Sequence, residues 1–312
     1  MTEMLDTATH ERRSTLLADL AVLGVAVVWG ASYPVTKAAL AHAPVLTLIF
    51  YRFFITACAM SMLAHRELAS ASRGDLGRAA ILGIILSAIF MAEIGGLVLT
   101  SATNAALIIS LCTLFTPFLD YGLSRRLPPP VVVLGAIVAC AGVGLLVGGI
   151  TRWSLGDALI LLAAGLRAVM VVSTKRLMAG RALSSAALTA VQTMVVSAVA
   201  FVCLAGSQGP GALHLDAGAG FWTSVAFLSL FCTIAAFYVQ NAAVRRTSPT
   251  KVGFLMGTEP LFGFVLAYLL LSEPASPSTI VGATLIVGGT FLGIIAERQR
   301  TRQLLDRRSP VT

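Results

Sequence analysis

Ten apolar runs, each about as long as a bilayer-crossing helix, take up most of the 312 residues and leave little choice of fold. They are 16–40, 44–64, 79–99, 102–124, 130–149, 155–178, 185–205, 220–243, 249–271 and 277–296. In a bilayer core every backbone N–H and C=O must be satisfied within the protein, so runs of this length form helices. Charged residues make up only 12% of the chain against 57% hydrophobic, about half the charge of a soluble domain, so a water-facing shell cannot be built. The expected fold class is an all-α polytopic membrane protein of ten transmembrane helices. The first run is too long for a signal-peptide core and is expected to stay in the mature chain.

Ten crossings put both ends of the chain on one side. Eighteen Lys and Arg residues, from Arg12 and Arg13 through Arg125 and Arg126 to Arg307 and Arg308, fall on that side, and Arg152 lies opposite. Basic residues collect in cytoplasmic loops, so both termini are expected in the cytoplasm and the protein in the cytoplasmic membrane. Residues 1–15 show no apolar periodicity and read as a short mobile tail, and 297–312 as a basic cytoplasmic tail that can touch anionic lipid. The net charge of +8 is therefore a topology signal; without aromatic interleaving it does not indicate nucleic acid. The longest connection is the Gly-rich 206–220, with Pro210, His214 and Asp216. Cys58, Cys112, Cys140, Cys203 and Cys232 all sit in apolar runs without metal-type spacing and read as small buried hydrophobes.

The chain also repeats itself. Shifted by 147 without a gap, residues 100–149 match 247–296 at 13 of 50 positions, including Thr100/Thr247, Ser101/Ser248, Tyr121/Tyr268, Gly135/Gly282 and Gly142/Gly289. At a shift of 138, Asp19, Thr36 and Lys37 fall on Asp157, Thr174 and Lys175. The units are 16–149 and 150–296. Each holds five spans, an odd number, so the second is entered from the opposite side: an inverted-topology repeat, the architecture of alternating-access carriers with a site near the midplane.

Four charged residues lie well inside spans: Arg52 in the second, Glu93 in the third, Arg167 in the sixth and Glu259 in the ninth. Intramembrane ionisable groups are expensive and mark functional sites, and two of each sign balance. Glu259 stands out because Pro260 follows it, in a run already thinned by Gly253 and Gly257; a proline there leaves an acceptor one turn back unpaired. The bland alternatives are a protonated Glu259 at a packing kink, and arginines that snorkel or cap carbonyls. In a transport role, one acid takes a proton or a substrate ammonium while an arginine holds a carboxylate, a combination that suits a zwitterion. Trp29, Ser32, Tyr33, Thr36 and Lys37 form a polar and aromatic stripe on the first span; Thr233, Phe237, Gln240 and Asn241 form another on the eighth. These stripes either bond neighbouring helices or line a cavity. Gln192 and Asn104 are weaker candidates of the same kind, and Lys37 lies near the outer surface.

The fifth and tenth spans have few polar atoms, with Gly144/Gly148 and Gly289/Gly293 at the spacing that lets backbones approach. They are assigned to packing, within each half or at a homodimer contact. Asp19 and Asp157 begin the first and sixth spans, where a carboxylate complements the helix dipole.

The segment 237–289, with its Glu259–Pro260 step, together with Trp29, Gly30 and Arg52, resembles the EamA branch of the drug/metabolite transporter superfamily over essentially the whole chain. The resemblance implies two inverted five-helix repeats, transport of small metabolites, often efflux of amino acids or related compounds, and a central cavity lined by spans one, three, four, six, eight and nine. This sequence departs from the pattern: Arg126 stands opposite Glu273 in the repeat, Cys112 opposite Glu259, and Arg167 opposite Trp29.

The leading expectation is thus a secondary exporter of small metabolites, with proton coupling through Glu259 or Glu93 as an option, and a lipophilic-cation or multidrug efflux carrier as the alternative. Its partners would be a small-molecule solute, protons and membrane lipids, with no cofactor and no metal. A Walker glycine loop is missing, so gradients must supply the energy. An intramembrane enzyme is disfavoured because no span holds a histidine and no His-Glu-x-x-His or Gly-x-Ser-x-Gly motif occurs. A non-transporting receptor or scaffold would be solid where a transporter has a midplane cavity.

Overall fold

The computed structural model describes residues 2–100, 102–146, 154–207, 209–213, 217–271 and 276–306. Ser101, Gly148, Arg152, His214, Asp216, Glu273, Arg307 and Arg308 lie outside them. The described residues form α1 (Thr2–Leu40), α2 (Val45–Leu63), α3 (His65–Ser70), α4 (Arg73–Leu99), α5 (Ala102–Ile109), α6 (Cys112–Gly122), α7 (Pro130–Leu146), α8 (Leu155–Leu177), α9 (Ser185–Ser207), α10 (Ala219–Ser229), α11 (Ala236–Arg246), α12 (Pro249–Met256), α13 (Glu259–Leu271) and α14 (Pro277–Asp306). A six-residue π-helix, Leu230–Ala235, joins α10 to α11. Among the described residues, seven helices are long and apolar enough to cross a membrane. Polar N-caps fix several starts: the Ser72, Ser154 and Ser248 hydroxyls accept from the backbone three residues on, and Pro249 occupies the first turn of α12, where its missing N–H is no loss.

Two spans expected to be continuous are broken. The fourth is α5 and α6, interrupted at Ser110–Leu111; the ninth is α12 and α13, interrupted at Gly257–Thr258. The breaks are 147 positions apart, the register of the internal repeat. The expected kink at Pro260 is corrected accordingly. The ninth span ends before Glu259 and restarts with it, so Pro260 sits in a first turn, where the absent N–H would have had no partner.

The polar ends also differ from expectation. Residues 2–15 continue α1 back to Thr2 rather than forming an unstructured tail, and Glu297 to Asp306 continue α14. Asp19 therefore lies mid-helix, not at a helix start. Its carboxylate meets Lys251 Nζ at 2.6 Å and Arg298 Nη2 at 4.0 Å, which places α1, α12 and α14 together at the end of the bundle carrying the termini. Asp157 does cap α8, in a capping box with Ser154.

Contacts between the two repeats come in reciprocal pairs. The third span (α4) packs on the sixth (α8), and the eighth (α10, α11) packs on the first (α1). The fifth and tenth spans, α7 and α14, pack on each other, which corrects the placement within each half: the contact lies across the halves of one chain. A Cβ added at Gly135 would stand 2.8 Å from the Gly289 carbonyl oxygen, and one at Gly142 2.7 Å from that of Gly282, so only glycine lets the backbones touch. Since Gly135 corresponds to Gly282 and Gly142 to Gly289, this is one contact made twice, as across a two-fold axis. Gly144 faces open space.

The outside of the bundle is apolar, with Phe54, Met62, Ile84, Val202 and Phe291 exposed. Cys58 and Cys203 are exposed there too, against expectation, because a lipid-facing surface is as apolar as the interior and hydropathy cannot separate them.

Candidate functional site

Three of the four intramembrane charges converge. Arg167, from the middle of α8, donates from Nη2 to Glu93 Oε1 and Oε2 of α4, each at 2.9 Å, and from Nε to Oε2 at 3.2 Å. From Nη1 it donates to Glu259 Oε2 at 3.2 Å. One guanidinium thus serves two carboxylates, one from each half of the chain. The break before α13 puts Glu259 at a helix N-terminus, where backbone N–H groups and the helix dipole favour a negative charge. Glu259 Oε1 is buried as well, with the buried Tyr33 hydroxyl from α1 beside this carboxylate.

Aromatic rings close around this group. Arg167 Cζ lies 5.0 Å from the Trp29 ring, so the residues that the internal repeat sets opposite each other are in contact. Trp29 packs on Phe237 at 5.4 Å, and Phe237 on Phe90 at 5.9 Å. The π turn orients Trp29. Widening the helix by one residue redirects backbone carbonyls, and the Cys232 carbonyl accepts from Trp29 Nε1 at 2.8 Å. The same turn anchors Arg52, whose Nε donates to Thr233 Oγ1 at 2.8 Å and whose Nη2 reaches the Cys232 carbonyl at 3.4 Å.

Two clefts meet at this layer. One is narrow, with about 20 Å³ open to the centre of a water molecule, and is lined by Trp29, Ser32, Tyr33, Thr36, Arg52, Phe90, Glu93, Ile94, Leu97 and Arg167. Its α1 and α4 residues run toward Leu40 and Leu99, the end of the bundle away from the termini. The other is as narrow, with about 20 Å³, is lined by Trp29, Leu86, Ile89, Phe90, Arg167, Met170, Phe237, Gln240 and Met256, and extends toward the terminal end. Trp29, Phe90 and Arg167 belong to both and separate them.

The structure therefore gathers eight of the nine predicted site residues: Glu259, Arg167, Glu93, Arg52, Trp29, Tyr33, Phe237 and Gln240. Asn241 lies elsewhere. It donates to Thr189 Oγ1 at 2.9 Å and Gln192 Oε1 at 2.8 Å, tying α11 to α9. Lys37 reaches the Thr100 carbonyl at 3.2 Å near the far surface. Sequence reasoning missed Phe90, although it precedes Glu93 by three residues and so shares its helix face. It also missed the Cys232 carbonyl, which no residue type could have signalled. Among the described residues no group of three His, Cys, Asp or Glu side chains is placed to hold a metal ion.

The sequence pattern of the EamA-like transporter family matches residues 16–148 and again 154–295. Two proteins of Archaeoglobus fulgidus, each described as an uncharacterized transporter, are similar over most of their length. One is 23% identical over 284 residues, covering 88% of this chain and 96% of the relative. The other is 26% identical over 279 residues, covering 87% and 84%. A solved crystal structure at 20% identity superposes with a TM-score of 0.72 over 90% of this chain and 98% of its own, a likeness of fold.

Proposed function

The chain belongs to the EamA-like transporter family, a family of multi-pass membrane proteins, and on that premise we propose a secondary carrier working by alternating access, its two five-span halves threaded in opposite senses with both termini cytoplasmic. The reciprocal glycine contacts of α7 and α14, the matched breaks of the fourth and ninth spans, and the basic residues at the terminal end support this topology. The observation that carries the reading is Arg167, shared between Glu93 and Glu259 where two clefts from opposite ends of the bundle meet. A scaffold has no use for charges held at such a junction.

In this reading the protein exports a small polar metabolite, an amino acid or related compound, with proton coupling. A proton taken at Glu259 Oε1, the oxygen that Arg167 does not bond, makes that carboxyl neutral and weakens its hold on Arg167, leaving Glu93 as the guanidinium's partner. Trp29 and Phe90, packed with Arg167, can then shift and join the site to the other cleft. Release of the proton restores the two-carboxylate clasp. The test is Glu259→Gln in reconstituted vesicles. The variant should reach the membrane at parental levels and lose solute counterflow, whereas unchanged flux would remove Glu259 from the mechanism.

A further inference from the structure

Among the described residues Arg52 is a buried cation with no carboxylate bonded to it, although Glu93 lies near enough to favour its charge. The residue is 4% exposed in the middle of α2 and forms no ion pair among the described residues, since both central carboxylates are bound to Arg167. Its hydrogen-bond partners, the Thr233 hydroxyl and the Cys232 carbonyl, are neutral. The rings of Phe53 at 5.5 Å and Phe90 at 4.8 Å soften the charge without cancelling it. A structural cross-link between α2 and the π turn would need only a neutral donor such as glutamine. A guanidinium carries five N–H donors in a planar fork that fits a carboxylate, and Arg52 lines the far-end cleft together with Glu93. Removing a charge from water without bonding it to an opposite one is unfavourable, and a carboxylate entering the cleft would supply that bond.

We propose that Arg52 receives an anionic oxygen group of the transported solute, a carboxylate in the first instance, so that the solute is an organic acid or an amino acid rather than a lipophilic cation. The inference rests on the carrier reading and gives it a substrate class. Glu93, in the same cleft, faces the remainder of the solute, and an ammonium there would compete with Arg167 for it. Binding would then loosen the clasp between the halves.

The experiment compares norvaline, valerate and pentylamine, which share a carbon chain and differ in their charged groups, by their effect on the unfolding temperature of the full chain in detergent. Norvaline and valerate should raise it and pentylamine should not; a larger shift with norvaline than with valerate would add an ammonium site to the carboxylate site. Arg52→Gln should abolish the shifts and Arg52→Lys should keep part of them. Without added solute, Arg52→Gln should unfold no earlier than the parent, because glutamine can still donate to the Thr233 hydroxyl and no carboxylate bonded to Arg52 is left behind. Stabilisation by pentylamine alone, by none of the three, or by valerate in Arg52→Gln as in the parent would overturn the proposal. Vesicle exchange separates it from the carrier reading. Exchange of pentylamine but not norvaline would sink the Arg52 assignment and leave the carrier, while Arg52-dependent binding of valerate with no exchange of any of the three would do the opposite.

Discussion

Lys251 Nζ lies 2.6 Å from Asp19 Oδ1 at the terminal end of the bundle. At the other end Asn104 Nδ2 donates to Asp157 Oδ1 at 3.4 Å, with Thr100 Oγ1 on the same oxygen at 2.5 Å. Asp19 and Asp157 correspond in the repeat, as do Lys251 and Asn104, so one contact between a first helix and a fourth helix occurs twice, once at each end. One copy is a buried ion pair and the other is built of hydrogen bonds from neutral donors. In a carrier whose ends part in turn, unequal closures bias which end opens.

Breaking the ionic closure should be costly in the single variant and mild in the double. Asp19→Asn leaves Lys251, itself buried, without its carboxylate, a loss of about 3–5 kcal/mol for a buried pair with one partner removed. Asp19→Asn with Lys251→Asn leaves the same contact without charge and should recover most of it. Thermal unfolding of the three proteins in one detergent checks this; additive losses would show that the two residues do not depend on each other.

The capping of α8 offers a smaller effect at the far end. Ser154 Oγ accepts from the Asp157 backbone N–H at 3.2 Å and donates to its Oδ2 at 2.9 Å. Ser154→Ala should lower stability by about 1 kcal/mol, the usual value of an N-cap. Ser154→Asp restores an acceptor but sets a second carboxylate beside Asp157, so it should recover less than Ser154→Thr when unfolding temperatures are compared.

How far the fold was legible depends on what each residue had to declare. Ionised groups in oil are rare enough that Glu93, Arg167 and Glu259 could be picked out singly, yet nothing in the sequence says that one arginine takes both acids. The break at Gly257–Thr258 was half visible in Gly257 and Pro260. Its counterpart at Ser110–Leu111 has no such residue and follows only from the 147 register. Asn241 was misplaced because a stripe at spacings of three and four spans a wide arc of helix surface: Phe237 and Gln240 turn to the cleft while Asn241 turns to α9. Asp19 was misread because its span was taken to start where the apolar run starts, whereas helix geometry continues into polar sequence.

The contact of α7 with α14 predicts a contrast between two glycines of similar sequence context. A Cβ at Gly289 would come 2.5 Å from the Gly135 carbonyl oxygen and from the Ala139 backbone nitrogen, which cannot give way without separating the helices. At Gly144 an added Cβ meets nothing within 4 Å. Gly289→Ala should lower the unfolding temperature and the yield of folded protein, while Gly144→Ala should match the parent or gain slightly, by up to about 1 kcal/mol from helix propensity. Equal behaviour of the two in size-exclusion yield and thermal unfolding would mean that α7 and α14 do not touch as described.

Arg167 should show the strongest dependence on its neighbours. Arg167→Met removes the only cation bonded to Glu93 and Glu259 among the described residues and leaves two buried carboxylates that cannot both stay ionised. Little folded protein is expected at neutral pH, because uncompensated buried charge is among the few causes of losses above about 4 kcal/mol. Glu93→Gln added to Arg167→Met removes one of the two acids and should restore part of the yield, and Glu259→Gln as well should restore more. Arg167→Lys retains the charge but not the fork that bonds three carboxylate oxygens at once, so it should fold and carry solute poorly. Folded yield by fluorescence-detected size exclusion and counterflow in vesicles read the two effects apart; full yield from Arg167→Met alone would mean that the carboxylates do not rely on Arg167.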